Sequence, residues 1–251
     1  MPGMSRPVSI ITVTNGAYFF VRLLVEKVRE QIGDRDYEII AVDRGSADGT
    51  SQWLQQQADV KVIRKINWFW SKKHKHGEDA EQAVRAAKYE YIVLLDSDAF
   101  PIANDWLSLT VDKLDNEHRL AGAVFRDKHA GNPHGWYIHP LFMTFRKSDL
   151  GSLIVLRKTQ GHATDTGEES TVRVLAAGKK IIGYPLEFCA QFSVGHPKIP
   201  TISAGVFHAW YVTRLIRNSR SVTRETEGAV TWENYRKPLE EKLRNAFGLP
   251  Y

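Results

Sequence analysis

Residues 8–13, Val-Ser-Ile-Ile-Thr-Val, form a continuous β-rich run. A strand buried on both faces of a parallel sheet shows that lack of polar alternation. Over residues 18–31 the spacing becomes helical, with Phe19, Val21, Leu23, Leu24 and Val28 as the apolar set. Residues 37–42 are a second β-rich run. It ends in Asp43-Arg44-Gly45-Ser46-Ala47-Asp48-Gly49-Thr50, residue types that form turns and cap helices. A helix to about residue 57 and a strand near 60–63 follow. Residues 78–88 put Ala80, Ala83, Val84 and Ala87 on one side of a helix, and 91–95 are a further strand.

Strands alternating with helices predict an α/β fold, a Rossmann-like, mostly parallel sheet with helices on both faces. Such sheets bind ligands outside the carboxyl ends of their strands. Three polar clusters fall at those ends: Thr12-Val13-Thr14-Asn15, Asp43-Arg44-Gly45 and Asp96-Ser97-Asp98. After about residue 118 the pattern is irregular, with a loop at 131–135. A helix over 166–177 stops at Gly178, and the tail from Phe207 reads as largely helical.

Composition narrows the classes. The 251 residues are 43% hydrophobic and 25% charged, which excludes a disordered or collagen-like chain. Cys189, the single cysteine, excludes an internal disulfide and a cysteine-based zinc site. Thirty-four Lys and Arg against 29 Asp and Glu give a net charge of +5, which suits an anionic ligand or surface. No apolar run approaches the ~20 residues that cross a bilayer. The N-terminal apolar stretch is too short for a signal-peptide core. The expected location is therefore cytoplasmic.

Asp96 and Asp98 carry the sharpest chemistry. Two carboxylates at the mouth of a buried strand are costly unless paired or metal-bound. With one residue between them, both reach a single ligand if the backbone turns there. Hard divalent cations favour such oxygen donors, with phosphate and water completing the shell. The alternative is that one of them caps a helix beginning near Asn104 or stabilises the turn.

Together, the opening strand with Thr12, Thr14 and Asn15, the second strand through Thr50, His76-Gly77 with the Ala-rich helix, and Tyr91 to Asp98 resemble the family 2 glycosyltransferases. The resemblance implies a GT-A fold and transfer of a sugar from a nucleoside-diphosphate sugar. It implies a transferase domain over 1–220, with a nucleotide-sugar half (1–118) and an acceptor half (119–220), and a helical extension over 221–251. Asp43 would take hydrogen bonds from the base, and Thr12, Thr14 and Asn15 would line the nucleoside pocket. Asp96 would lie near ribose and metal, and Asp98 would hold Mn2+ or Mg2+ on the diphosphate. Gly77 and Ser97 belong to the same motifs. Arg44 departs from the family pattern; it either binds phosphate or packs outward.

An inverting transfer also needs a base for the acceptor proton. The family's acidic pair is not intact here: either Asp165, Glu168 or Glu169 takes the role after a small shift, or this acid is missing. These acids also complement the dipole of the helix they begin. The resemblance suggests His208 as a further metal ligand; a histidine among aromatics is also an ordinary core residue. His196 is the weaker competitor for that role. Trp136, Tyr137 and His139 form either a sugar or acceptor wall or part of the core.

Residues 61–76 carry six Lys and Arg with no acid, among Trp68, Phe69 and Trp70. Beside a diphosphate pocket, Lys72 to His76 would neutralise phosphate; otherwise they are a solvated basic face. Arg214, Arg217, Arg220 and Arg224 share one helix face. That face either lies on anionic lipid headgroups, toward a glycan or lipid-linked acceptor, or stays in water.

Rival readings are weaker. A sugar-nucleotide nucleotidyltransferase would carry a Gly-rich basic loop where Thr14-Asn15-Gly16-Ala17-Tyr18 stands. A dehydrogenase would carry G-x-G-x-x-G there. A non-catalytic protein on a degenerate transferase fold is supported by the broken acidic pair, and no nucleic acid partner is expected.

Overall fold

The computed structural model describes residues 5–65, 76–126, 132–157, 166–195, 200–210 and 232–248. The chain opens with β1 (Val8–Thr14), α1 (Tyr18–Gln31), β2 (Tyr37–Asp43), α2 (Thr50–Gln55), β3 (Val60–Arg64), α3 (His76–Ala86) and β4 (Tyr91–Leu95). Next come β5 (Ala99–Pro101), α4 (Trp106–Leu109), β6 (His118–Phe125), β7 (Tyr137–Arg146) and α5 (Glu168–Ala176). β8 (Lys180–Pro185), β9 (Glu187–Phe188), β10 (Thr201–Ser203), β11 (Val206–His208) and α6 (Lys237–Phe247) complete it.

Seven strands form the main sheet, in the order β3-β2-β1-β4-β7-β6-β8. The first four are mutually parallel, and β7 enters antiparallel to β4 and β6. Successive side chains on a strand point to opposite faces. Ile10, Ile39 and Ala41 therefore join one core with Phe20, Leu23 and Leu24 of α1, while Ile11, Ile40 and Val42 join a second with Ala80, Ala83 and Val84 of α3. Both faces are covered, which is why β1 carries no exposed polar position. Ser9, its first polar residue, is satisfied internally: its hydroxyl donates to Glu38 Oε1 at 2.6 Å and accepts the Tyr89 N–H at 3.1 Å.

The predicted elements up to residue 95 are present with small shifts at their ends. The tail differs. Val206-Phe207-His208 is a strand, not the start of a helix, within a small sheet ordered β5-β11-β10-β9. Three residues are too few for periodicity to distinguish strand from helix; pairing with β5 decides it. α6 buries Leu239 and Leu243 in the same core as α1. Among the described residues, no helix is long and apolar enough to cross a membrane.

Candidate active site

β5 pairs antiparallel with β11, setting His208 opposite Ala99, and the Ala209 N–H donates to the Asp98 carbonyl at 3.0 Å. A turn closed by the Ala99 N–H on the Asp96 carbonyl (2.9 Å) precedes that pairing. Two distant pieces of chain thus meet at the mouth of β4. His208 Nε2 lies 3.2 Å from Asp98 Oδ1 and 3.7 Å from Asp96 Oδ2. One donor atom from each of Asp96, Asp98 and His208 lies within 4.8 Å of the others. The side chains of Asp98 and His208 are 6% and 4% exposed and that of Asp96 24%, so the cluster opens on the Asp96 side. Ser97, between the two acids, is buried.

Burial works against a charge on His208, but the Asp98 carboxylate, by charge and hydrogen bond, and then Asp96 push its pKa above the ordinary histidine value. Two carboxylates and an imidazole are a donor set that fits a divalent cation of the Mn2+ type.

The residues expected to line a nucleoside meet along the same sheet edge. Asp43 is 1% exposed, and its Oδ1 accepts both the N–H (3.0 Å) and the hydroxyl (2.5 Å) of Ser46. Its Oδ2 is buried with no hydrogen-bond partner among the described residues, as is Thr12 Oγ1. Thr14 Oγ1 donates to the Gly16 carbonyl, and Asn15 beside it is half-buried. Gly16 and Ala17 take left-handed backbone (φ 93 and 70), which turns the chain into α1. The Gly16 N–H then reaches Ser46 Oγ at 2.6 Å. Asp48 ties two helix starts together, accepting from Tyr18 N–H and from the N–H and hydroxyl of Thr50. Burial raises its pKa, but the Thr50 hydroxyl and these backbone donors outweigh that and hold it low.

Arg44 neither packs outward nor stands apart from other charges. Its Nε lies 2.9 Å from Asp79 Oδ2 in a buried pair, with Lys65 Nζ 3.4 Å from Oδ1. The arginine therefore fastens the end of β2 to the first turn of α3. Gly77 has a packing reason: a Cβ there would lie 1.9 Å from the Leu156 carbonyl oxygen. Glu81, one turn on, accepts the N–H groups of Leu156 and Arg157 at 3.1 and 3.3 Å.

α5 begins after Gly167, at φ 90, where a Cβ would lie 2.6 Å from the Ile138 carbonyl. The Ile138 N–H donates to Thr171 Oγ1, docking α5 on the start of β7. Glu168 is fully buried at this helix start, whereas Glu169 pairs with Arg173 at 2.8 Å. A narrow crevice at the mouth of β4 is lined in part by Asp96, His76, Pro140 and Thr166, the last of which stands two residues before Glu168 in sequence. His76 Nε2 sits 3.8 Å from Asp96 Oδ1, a placement that the basic run of 61–76 did not single out. Of the predicted wall, Tyr137 is fully buried, while Trp136 and His139 are half-buried. Trp210 and Phe125, which sequence reasoning missed, join His139 with ring centroids 6.2 and 5.3 Å away. No short-range pattern marks them, because strand pairing assembles the group. Asp165, Trp68, Phe69, Trp70, Lys72, Lys73, Lys75, His196, Arg214, Arg217, Arg220 and Arg224 lie outside the described residues.

The family described as Glycosyl transferase family 2 matches residues 9–175, more than half of the chain. No curated protein sequence matches. Among solved structures, the chain is similar to a mannosyltransferase from Pyrobaculum calidifontis in complex with GDP-Man and Mn2+. That likeness has a TM-score of 0.55 and 20% identity, and covers 71% of this chain and 54% of that one. The chain thus spans about half the length of that enzyme. It is also similar to glucosyl-3-phosphoglycerate synthase from Mycobacterium tuberculosis in complex with UDP (TM-score 0.53, 14% identity, 72% and 70% covered). The same synthase in complex with Mn2+, UDP and glucosyl-3-phosphoglycerate gives a TM-score of 0.53 at 12% identity, with 72% and 70% covered. At these identities the likeness is one of fold.

Proposed function

Because the chain belongs to glycosyl transferase family 2, we propose that it moves a sugar from a nucleoside-diphosphate sugar to an acceptor hydroxyl, with inversion and with Mn2+ held by Asp96, Asp98 and His208. The observation that carries the reading is the convergence of those three side chains at the mouth of β4. A bound cation offsets the negative charge that develops on the departing nucleoside diphosphate. Imidazole in the donor set favours Mn2+ over Mg2+, which prefers oxygen donors throughout.

Asp43 turns its unpartnered Oδ2 to an N–H of the nucleobase, a buried acceptor that otherwise costs stability. Thr12, Thr14 and Asn15 line the nucleoside beside it, and Ser97 backs the ribose and diphosphate. Arg44, engaged by Asp79, contributes by holding the β2 end in place, and Gly77 by letting α3 approach residue 156. Among the acids of α5, Glu168 takes the acceptor proton. It is buried at the helix start, two residues after Thr166 of the crevice, whereas Glu169 is committed to Arg173.

A thermal-shift screen of UDP-, GDP- and dTDP-sugars with Mn2+ tests the proposal. A donor at a hundredfold excess over its Kd adds about 2.7 kcal/mol, or roughly 5–10 °C in Tm for a chain of this size. The same donor should release nucleoside diphosphate on turnover. No shift from any donor would contradict the reading.

A further inference from the structure

We infer that Trp210, with Phe125 and His139 beside it, forms a platform on which a pyranose ring of the acceptor lies, so that the acceptor is a carbohydrate and not a ringless phosphorylated acid or a bare lipid. The inference rests on the transferase reading and adds the acceptor's chemical class to it.

The first observation is strain. Trp210 has φ 59, one of three non-glycine residues with positive φ among those described. Such a conformation is unfavourable for a bulky L-residue and persists only where the surroundings impose it. Here they do. The preceding Ala209 is fixed on both sides, its N–H on the Asp98 carbonyl and its carbonyl accepting from the Tyr235 hydroxyl. The indole N–H of Trp210 donates to Thr201 Oγ1 at 3.0 Å. A residue held this firmly in an unfavourable conformation has its ring aimed.

The second observation is where it is aimed. Trp210 meets His208 edge to face, with ring centroids 4.4 Å apart, and so adjoins the proposed metal site. His139 and Phe125 are also its neighbours, tilted to it with ring centroids 6.2 and 5.9 Å away. The His139 ring is oriented by the Leu141 N–H on its Nδ1. All three rings are half-buried, so each keeps some exposed surface. His139 follows Ile138, whose N–H donates to Thr171 of α5, and precedes by two residues Leu141, whose carbonyl accepts the Asp96 N–H. The aromatic group therefore lies along the chain path between the two ends of the reaction, the leaving group and the base. The C–H faces of a pyranose are apolar and match exposed aromatic rings, while its hydroxyls remain free for the base.

The test is titration calorimetry on the full chain with Mn2+ and saturating UDP or GDP. The probes are methyl α-D-mannopyranoside, methyl α- and β-D-glucopyranoside and methyl β-D-galactopyranoside, with 3-phosphoglyceric acid as the ringless comparison. At least one pyranoside should bind. Trp210→Ala should weaken it tenfold or more, Trp210→Phe should recover most of that loss, and Phe125→Ala should weaken it about threefold. The nucleotide Kd should stay within twofold throughout. The platform is overturned if no pyranoside binds, if only 3-phosphoglyceric acid binds, or if pyranoside affinity is indifferent to both alanine variants. It is also overturned if sugar and nucleotide affinity fall together in both. Failure of UDP and GDP to bind the unaltered chain with Mn2+ counts against the transferase reading instead; pyranoside binding alone then still judges the platform.

Discussion

Residues 8–95 and residues 118–208 build their parts of the sheet edge in different ways. In the first region each strand-end loop is secured by side chains a few residues away or on the adjoining loop. Ser46 bonds Asp43 and Gly16, and Asp48 bonds Thr50 and Tyr18. In the second, the segments are held by close backbone approach and by pairing between distant pieces of chain. Gly167 lies against the Ile138 carbonyl, and β11 lies against β5. On the proposed reading, a nucleotide-side loop fixed by its own sequence is set before any acceptor arrives. An acceptor side assembled from distant segments would then vary its specificity without disturbing the first region.

The largest effect expected on that contrast is at α5. Glu168→Gln should lower turnover roughly 10²- to 10⁴-fold, as removal of a general base does, while Glu169→Ala should change it less than threefold. Steady-state kinetics with the donor found by thermal shift decides; equal effects at the two positions would remove Glu168 from the role. Arg44→Ala strands the buried Asp79 carboxylate with, among the described residues, only the longer Lys65 contact as an ion pair. It should cost about 3 kcal/mol in urea denaturation, near the lower bound for breaking a buried pair. Gly77→Ala strikes the junction between the two regions, where the new methyl meets backbone that has no flexible end to move. A loss of about 1–3 kcal/mol is expected, with a fall in turnover as residue 156 shifts.

The smallest effect lies at the turn into β6, where Asp115 accepts the N–H groups of Glu117 and His118. The His118 N–H and ring, then the Glu117 N–H, hold its pKa down at about 2, against an ordinary 3.8. A lowered native pKa stabilises above the unfolded value, and the benefit is lost as pH falls through 3.8 toward about 2. The urea midpoint of the unaltered chain should therefore exceed that of Asp115→Ala at pH 6 by more than at pH 3. A constant difference would show that the carboxylate's charge plays no part.

Much of the first region was legible because its information is local. A run such as Val-Ser-Ile-Ile-Thr-Val specifies a doubly buried strand by itself, and Asp96 and Asp98 mark the end of another. His208 was found only through family resemblance, since its nearness to Asp98 arises from a three-residue strand pairing that no periodicity predicts. Trp210 was missed for the same reason: its left-handed backbone and its ring partners are consequences of tertiary contacts. Arg44 was left open because its partner, Asp79, belongs to a different helix, and one sequence does not reveal which charges will meet.

The central claim is that Asp96, Asp98 and His208 seat a divalent cation that links nucleotide binding to metal. Calorimetric titration of UDP and GDP, with and without Mn2+, on the unaltered chain and on Asp98→Ala tests it most directly. The account predicts that Mn2+ tightens binding of one nucleotide at least tenfold, that Asp98→Ala abolishes this enhancement, and that circular dichroism shows an unchanged fold. Equal nucleotide affinity with and without Mn2+, or full enhancement in the folded Asp98→Ala chain, would contradict it.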